Sequence, residues 1–487
     1  MDLSSPQMPA PSVLFVAPEC APLSKTGGLG DVCGALPAAL RSLGMDVRVL
    51  IPGYPDVLSR TTSVELAPVS LLGLEGRLLG ARPTEASALS EVPLLVVECP
   101  ALYARRGGPY QDEWGDDWSD NALRFAFLSK VAAVLGSARS PLRWRPQVVH
   151  CHDWPGALAA VYLHHERAPR AATLLTIHNL AYQGNFEPGA LQSLRLPREL
   201  YRIDGLEFYG RLSFLKGGIV YSDAINTVSP SYAREIQTPE LGSGMDGLLR
   251  QRRDALSGIL NGIDTAYWDP ASDPHLAQRY DARSLEGRAR NKEALQRSFG
   301  LAVDPHLPLL GMVGRLTQQK GVDLLAAAAD ALATRAQVAI LGKGERELER
   351  AVRAAAERHP GRIAARIGFD ETLAHLIEGG ADLFLMPSRF EPCGLNQMYS
   401  QRYGTPPLAR ATGGLSDSIE DGKTGFLFSS LDEKALIETV ERALALYRNQ
   451  EAWRAMQRAA MARDFSWDRA ARRYADLYLR LATPQPA

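Results

Sequence analysis

Ser388-Arg389-Phe390-Glu391-Pro392-Cys393-Gly394-Leu395-Asn396-Gln397 is the stretch from which the fold and chemistry of this chain are read. It joins a predicted strand, Ala381 to Met386, to a predicted helix of about Gly394 to Tyr403. Pro392 and Gly394 at that junction hold Glu391 at a strand exit. The first N–H groups of the helix beyond have no partners within it, and such groups bind phosphate. A carboxylate beside a phosphate site points to chemistry on a phosphorylated sugar or nucleotide.

The same strand–turn–helix alternation runs almost from end to end. Ser12 to Ala17, Val47 to Pro52, Leu94 to Glu98, Gln147 to His150, Ala172 to His178 and Ala224 to Val228 are apolar runs of strand length. A second series comprises Leu309 to Arg315, Gln337 to Lys343, Arg362 to Ile367, Ala381 to Met386 and Pro407 to Arg410. Helical patterns such as Val32 to Leu43, Val322 to Leu332, Glu345 to Glu357 and Leu431 to Tyr447 lie between them. Continuous Val/Leu/Ile runs separated by helices indicate parallel strands covered on both faces. The expected fold class is α/β, with two Rossmann-like doubly wound domains facing across a cleft. A tail over residues 1–12 is expected to be disordered; the domains are expected over 13–257 and 258–465, and a last helical stretch over Ser466 to Leu481. Ligands of such sheets bind at the carboxyl ends of the strands.

Bulk properties narrow the function. Hydrophobic residues are 46% and charged residues 22% of the 487, an ordinary globular composition. With 54 basic against 55 acidic residues the net charge is −1, which leaves no electrostatic footprint for nucleic acid or an anionic membrane. Five scattered cysteines, Cys20, Cys33, Cys99, Cys151 and Cys393, contain no C-x-x-C. They argue against a disulfide scaffold or zinc ribbon and for a reducing compartment. No apolar run approaches the roughly 18 residues of a membrane span, and Met1 to Ser12 lacks the basic and apolar regions of a signal peptide. The expectation is a cytoplasmic enzyme without metal or cofactor, its oligomeric state open.

Four motifs at strand exits carry candidate chemistry, the second of them spanning two neighbouring strands. Lys25-Thr26-Gly27-Gly28-Leu29-Gly30-Asp31 combines close backbone approach, a cation and a helix start. Its glycine spacing does not fit a dinucleotide fingerprint, and its lysine precedes the glycines, unlike a Walker A loop. His150-Cys151-His152-Asp153-Trp154 and Thr176-Ile177-His178-Asn179 place Asp153 and His178 just past neighbouring strand ends, where they can bond sugar hydroxyls. Gly314 to Gly321 carries Arg315 and Lys320, a fork and a point charge able to converge on a diphosphate. Ala411 to Asp417 is a further glycine-rich turn able to wrap phosphate. Each has a plain reading as a loop or a satisfied core group; together they form a pattern for a nucleotide-sugar transferase.

At this point KTGGLGDV (25–32), HDW (152–154), TIHNLAYQG (176–184), NTVSPSYAREI (226–236), LNGID (260–264), GRLTQQKG (314–321), SRFEPCGLNQ (388–397), YGTPPLARATGGL (403–415) and DFSW (464–467) match a family in order. The chain resembles the bacterial glycogen synthases, of the glycogen/starch synthase group of retaining GT-B glycosyltransferases, from about Val13 to Leu481. The resemblance implies transfer of glucose from ADP-glucose to the non-reducing end of an α-1,4-glucan such as glycogen, with retention. Glu391 is implied as the principal catalytic carboxylate, with Asp153 and His178 on the transferred glucose and Arg315 and Lys320 on the diphosphate. Lys25, Gly27, Gly28 and Asp31 are implied at ADP-glucose, Asn261 near the hinge and the donor, and Phe369 at the nucleotide base. Cys393, Gly394, Leu395 and Asn396 would continue the donor-facing edge, and Thr412, Gly413 and Gly414 the phosphate turn. Residues 466–487 would be a C-terminal helix crossing back to the first domain.

Two departures matter: Tyr399 stands where many retaining relatives carry a second Glu, as the glycogen synthase branch commonly has it, and Asn396 replaces a small hydroxyl residue. Phe369 stands where the family often has Tyr, which keeps stacking but not a phenol hydrogen bond. Tyr110, Trp114 and Trp118, within Tyr103 to Asn121, offer aromatic faces for a glucan acceptor. An NAD-dependent oxidoreductase would explain two Rossmann-like domains but not the Arg315/Lys320 pair. A non-catalytic glucan-binding protein and a UDP-glucose-dependent enzyme also compete for the same motifs.

Overall fold

The computed structural model describes residues 10–166 and 169–483. The first nine residues of the expected tail, and Pro484 and Pro486, lie outside the described residues. Ser12, expected in the tail, instead opens the first strand, its hydroxyl donating to the Arg145 carbonyl at 3.0 Å. The described residues divide into two compact units: those within 10–228, 233–262 and 467–483 form one, and 229–232 with 263–466 form the other. The division thus falls after Gly262 rather than at 257/258. The last strand of the first sheet ends at Gly258, and the following Ile259 N–H still donates to the Thr227 carbonyl at 2.9 Å.

The first unit is built on nine strands, in chain order β1 (Ser12–Val16), β2 (Asp46–Pro52), β3 (Thr61–Leu71), β4 (Leu74–Pro83), β5 (Leu94–Glu98), β6 (Val148–His152), β7 (Ala172–Ile177), β11 (Ala224–Thr227) and β12 (Leu256–Gly258). A separate small antiparallel sheet holds β8 (Asn185–Phe186), β9 (Glu207–Phe208) and β10 (Arg211–Ser213). The large sheet runs β12-β11-β7-β6-β1-β2-β5-β4-β3. Its apolar strands pair in parallel and are buried, as continuous Val/Leu/Ile runs require. The exception is antiparallel: β3 and β4 pair with each other and β4 with β5. Leu72 and Gly73, with φ of 55° and 79°, make the two-residue turn between them. The helix Trp467–Ala482 packs on Gly28–Ser42 of this unit, burying Tyr474 and Tyr478.

The second unit is a six-stranded, all-parallel sheet of β13 (Leu309–Val313), β14 (Gln337–Gly342), β15 (Ile363–Ile367), β16 (Leu383–Met386), β17 (Pro407–Arg410) and β18 (Phe426–Phe428). Its order, β15-β14-β13-β16-β17-β18, is the doubly wound 3-2-1-4-5-6 arrangement, with the reversal between β13 and β16. The expected helix over 322–332 is two, Val322–Ala327 and Ala329–Ala333, because Ala328 closes the first as it opens the second. Among the described residues no helix is long and apolar enough to cross a membrane.

Candidate functional site

In an open parallel sheet the loops at the order reversal diverge and leave a crevice. In the second unit those loops follow β13 and β16, and they are laced together. The Arg389 N–H donates to the Gln319 carbonyl at 2.8 Å, and the Arg389 guanidinium to Asp323 at 2.6 Å through both nitrogens. Across this lacing Lys320 Nζ meets Glu391 Oε2 at 2.5 Å, with Ser388 Oγ donating to the same oxygen at 3.1 Å. Glu391 is 5% exposed, so its charge depends on these donors rather than on water. Arg315 lies exposed on the same loop.

The turn after β17 closes on Glu391 from behind. A Cβ on Gly413, whose φ is 46°, would stand 1.9 Å from the Glu391 carbonyl oxygen, so only glycine fits. The Gly414 N–H donates to that same oxygen at 3.0 Å. Thr412 is buried ahead of the short helix Gly413–Ser418. The helix expected from Gly394 begins instead at Asn396 and ends at Arg402; Gly394 takes a left-handed φ of 72° and Leu395 precedes the first turn. Asn396 Nδ2 donates to the Val313 carbonyl at 2.7 Å, tying that helix to the end of β13. Cys393 is buried beneath the turn, whereas Phe369 is 81% exposed after β15.

In the first unit the reversal lies between β1 and β6, and the loop after β1 holds Lys25 to Gly27 and runs into the first turn of the helix Gly28–Ser42, which holds Gly28 and Asp31. Lys25 Nζ pairs with Asp31 Oδ1 at 2.8 Å, and Gly27 and Gly28 are exposed. Glu19, a residue the sequence did not single out, shapes this loop from below. Its Oε2 accepts the Thr26 and Gly27 N–H groups, the latter at 3.1 Å, and its Oε1 accepts the Tyr110 hydroxyl at 2.6 Å. Burial raises its pKa above the carboxylate norm, against those hydrogen bonds. Tyr110 is thereby committed to the fold. Trp118 is similarly engaged, donating to the Gly108 carbonyl at 3.2 Å, while Trp114 is 83% exposed.

Asp153 and His178 follow the neighbouring strands β6 and β7. Asp153 has a φ of 51°, an uncommon conformation for a residue with a side chain, at the turn from strand into helix. Its Oδ1 accepts the His178 N–H at 2.6 Å, and burial pushes its carboxyl up to about 7. Burial takes His178 down to about 3, so its ring is neutral. Its Nε2 faces His152 Nδ1 at 2.9 Å. Among the described residues, no group of three or more His, Cys, Asp or Glu is placed to hold a metal ion. Asn261 is buried at the end of the unit's second segment, its Oδ1 without a hydrogen-bond partner among the described residues.

The family profile described as starch synthase catalytic domain matches residues 12–251, and the profile of glycosyl transferases group 1 matches residues 296–460. A glycogen synthase of Aromatoleum aromaticum is 54% identical over 477 residues, covering 96% of each chain. The chain belongs to the glycogen synthase family. Another member, from Nitrosospira multiformis, is 51% identical over 483 residues, 96% of this chain and 97% of that one. Membership makes the chain a glycosyltransferase, and its two Rossmann-like units are those of the GT-B class. The catalytic domain of starch synthase IV from Arabidopsis thaliana, solved bound to ADP and acarbose, superposes with a TM-score of 0.85 at 33% identity, covering 97% of this chain and 99% of that one. A sucrose-phosphate synthase from Thermosynechococcus elongatus, at 17% identity and a TM-score of 0.58, shares the fold.

Proposed function

We propose that this enzyme transfers glucose from ADP-glucose to the 4-hydroxyl at the non-reducing end of an α-1,4-glucan, with retention of configuration. The observation that carries the reading is the Lys320–Glu391 pair at the order reversal of the second sheet. It sets a fixed cation beside a shielded carboxylate, the two charges a departing diphosphate and an oxocarbenium-like sugar demand. The names of the glycogen synthase relatives, and the ADP and acarbose bound by the plant enzyme, support the donor and acceptor classes.

In this mechanism Arg315 and Lys320 stabilise the diphosphate as the bond from sugar C1 to phosphate oxygen breaks and its electron pair passes to that oxygen. Such fixed electrostatics are worth about 3–4 kcal/mol per group removed. Glu391 stabilises positive character at the anomeric carbon. Lys25, Gly27, Gly28 and Asp31 hold the donor, with Asp153 and His178 on the glucose hydroxyls. Asn261 contacts the donor and Phe369 stacks on the base. Cys393 to Asn396 and Thr412 to Gly414 supply backbone to the phosphates.

Tyr399 stands where a second carboxylate would be and is stacked on Trp268 at 3.9 Å. The acceptor oxygen therefore attacks on the face the phosphate leaves, and its proton passes to the leaving phosphate oxygen. The deciding experiment supplies glycogen with ADP-glucose or UDP-glucose carrying ¹³C at C1, and reads the released diphosphate and the new linkage by NMR. ADP release with an α-1,4 linkage is expected. Preferential UDP release would overturn the donor assignment, and a β linkage would overturn retention.

A further inference from the structure

Beneath His178 lies a buried polar chain that the proposed chemistry does not use directly. His178 Nε2 meets His152 Nδ1 at 2.9 Å. His150, with ring centroid 4.1 Å from that of His152, bonds Thr176 Oγ1 at 2.6 Å and the Tyr478 hydroxyl at 2.7 Å. Asn226 Nδ2 donates to the Tyr474 hydroxyl at 2.8 Å. Phe15 stacks on His152 with ring centroids 5.0 Å apart. His152 and His150 are fully buried, and burial drives both well below the usual histidine range.

Two neutral rings 2.9 Å apart must share one proton, and there are only two ways to place it. If His178 donates from Nε2, then His152 carries its own proton on Nε2. That atom is buried and has no hydrogen-bond partner among the described residues, so an N–H there would be an orphaned donor, which folded proteins rarely tolerate. If instead His152 donates from Nδ1, its Nε2 is a bare lone pair and no donor is orphaned. The second arrangement obliges His178 to carry its proton on Nδ1.

We propose that His152 is a positioning residue that fixes His178 as the Nδ1–H tautomer, so that the ring presents a hydrogen-bond donor to a hydroxyl oxygen of the transferred sugar. The part of this that concerns the sugar rests on the function proposed above; the tautomer does not. Fixing the ring means that the sugar hydroxyl keeps its own proton for another acceptor, and a hydroxyl oxygen is read in preference to a substituent that can only donate.

The test has two readouts. Long-range ¹H–¹⁵N correlation on the full chain labelled at histidine, without substrate, distinguishes a protonated from a bare nitrogen. The expected spectrum shows His178 with a pyrrole-type Nδ1 and a pyridine-type Nε2, and the reverse pattern would overturn the proposal whatever the substrate. Kinetics then compare His152→Phe, which has no donor, with His152→Asn, whose amide can donate from near the Nδ1 position. Loss of one such bond lowers kcat/KM for ADP-glucose about tenfold in the Phe variant, and the Asn variant restores most of it, with KM for glycogen unchanged in both. Equal activity of a folded His152→Phe and the parent enzyme would refute the positioning role. Should the Phe variant not fold, a His152→Asn enzyme that retains the His178 Nδ1–H signature and activity supports the role, and one that loses activity while keeping that signature refutes it.

Discussion

Gly413→Ala tests the closure of the candidate site at its tightest point. The new methyl carbon would lie 1.9 Å from the Glu391 carbonyl oxygen and 2.9 Å from its carbon, where real contacts stay beyond 3.0 Å. The segment carrying Glu391 must therefore retreat by about 1 Å, since both sides of the contact are backbone. The Gly414 N–H bond to the same carbonyl transmits the shift, and Glu391 is tied at 2.5 Å to Lys320. A misplacement of about 1 Å in reacting groups costs about 100-fold, equivalent to about 2.7 kcal/mol in the barrier. Overpacking adds a stability loss of about 1–3 kcal/mol, a fall of about 1–3 °C in Tm for a protein of this size. The control is Gly27→Ala. Gly27 has an extended φ of −154° and nothing within 4 Å of its added methyl, so Tm should hold. If ADP-glucose approaches that backbone, its KM should rise. Calorimetry with initial-rate kinetics on both variants reads all four quantities. A Gly413→Ala enzyme within about threefold of parental kcat, or a Gly27→Ala enzyme as destabilised as Gly413→Ala, would refute the reasoning.

Glu391→Gln should lower kcat by at least about 100-fold while ADP-glucose still binds by calorimetry; loss of binding with kcat retained would remove Glu391 from the chemistry. Asp153→Asn should gain stability relative to the parent as pH rises. Burial lifts the Asp153 carboxyl from 3.8 to about 7, so the parent holds a proton there that the unfolded chain has released. Its contribution is complete below about pH 4 and is lost as pH rises through about 7. The difference in unfolding free energy should therefore climb by up to about 1.4 kcal/mol per pH unit across that window, and a flat difference would sink the assignment. The comparison must be between variants, because His150, His152 and His178 are depressed and titrate with the opposite sign. Trp114→Ala should raise KM for glycogen without moving Tm, since the indole is 83% exposed; a change in KM for ADP-glucose alone would exclude an acceptor role. All five cysteines are buried, so a thiol reagent should label none in the native enzyme and five in denaturant, and fast native labelling of Cys393 would contradict its packing.

The α/β class was legible because parallel strands, shielded on both faces, must be apolar throughout, and LLVVE or QVAILG have no other reading as surface elements. The same logic hides the β3–β4 hairpin. Its strands are half exposed and its turn is Leu72-Gly73, a pair that lacks the Asn-Gly or Asp-Gly signal of a tight hairpin. Helix starts were less legible than strand cores. The one expected at Gly394 begins two residues later because Gly394 takes a left-handed turn that lets the chain pass close to Gln397, a constraint set by tertiary packing. Glu19 was illegible for a different reason: its partner Tyr110 is 91 residues away, and no local pattern marks a carboxylate that will serve backbone N–H groups.

Which strand exits lie side by side is a property of sheet order, not of sequence distance. Lys320 and Glu391 are 71 residues apart and form an ion pair because β13 and β16 are neighbours in the sheet. Asp153 and His178 meet because β6 and β7 are. Once two doubly wound sheets are accepted, the order reversal follows from the rule that such sheets grow outward from their first strand in both directions. That rule singles out the first and fourth strands of the second series, hence Arg315, Lys320 and the segment from Ser388, ahead of the equally glycine-rich exit at Gly342. The tautomer of His178 does not follow in this way. Sequence places His152 and His178 at neighbouring strand ends, but only the 2.9 Å contact and the unpartnered Nε2 of His152 decide where the proton sits.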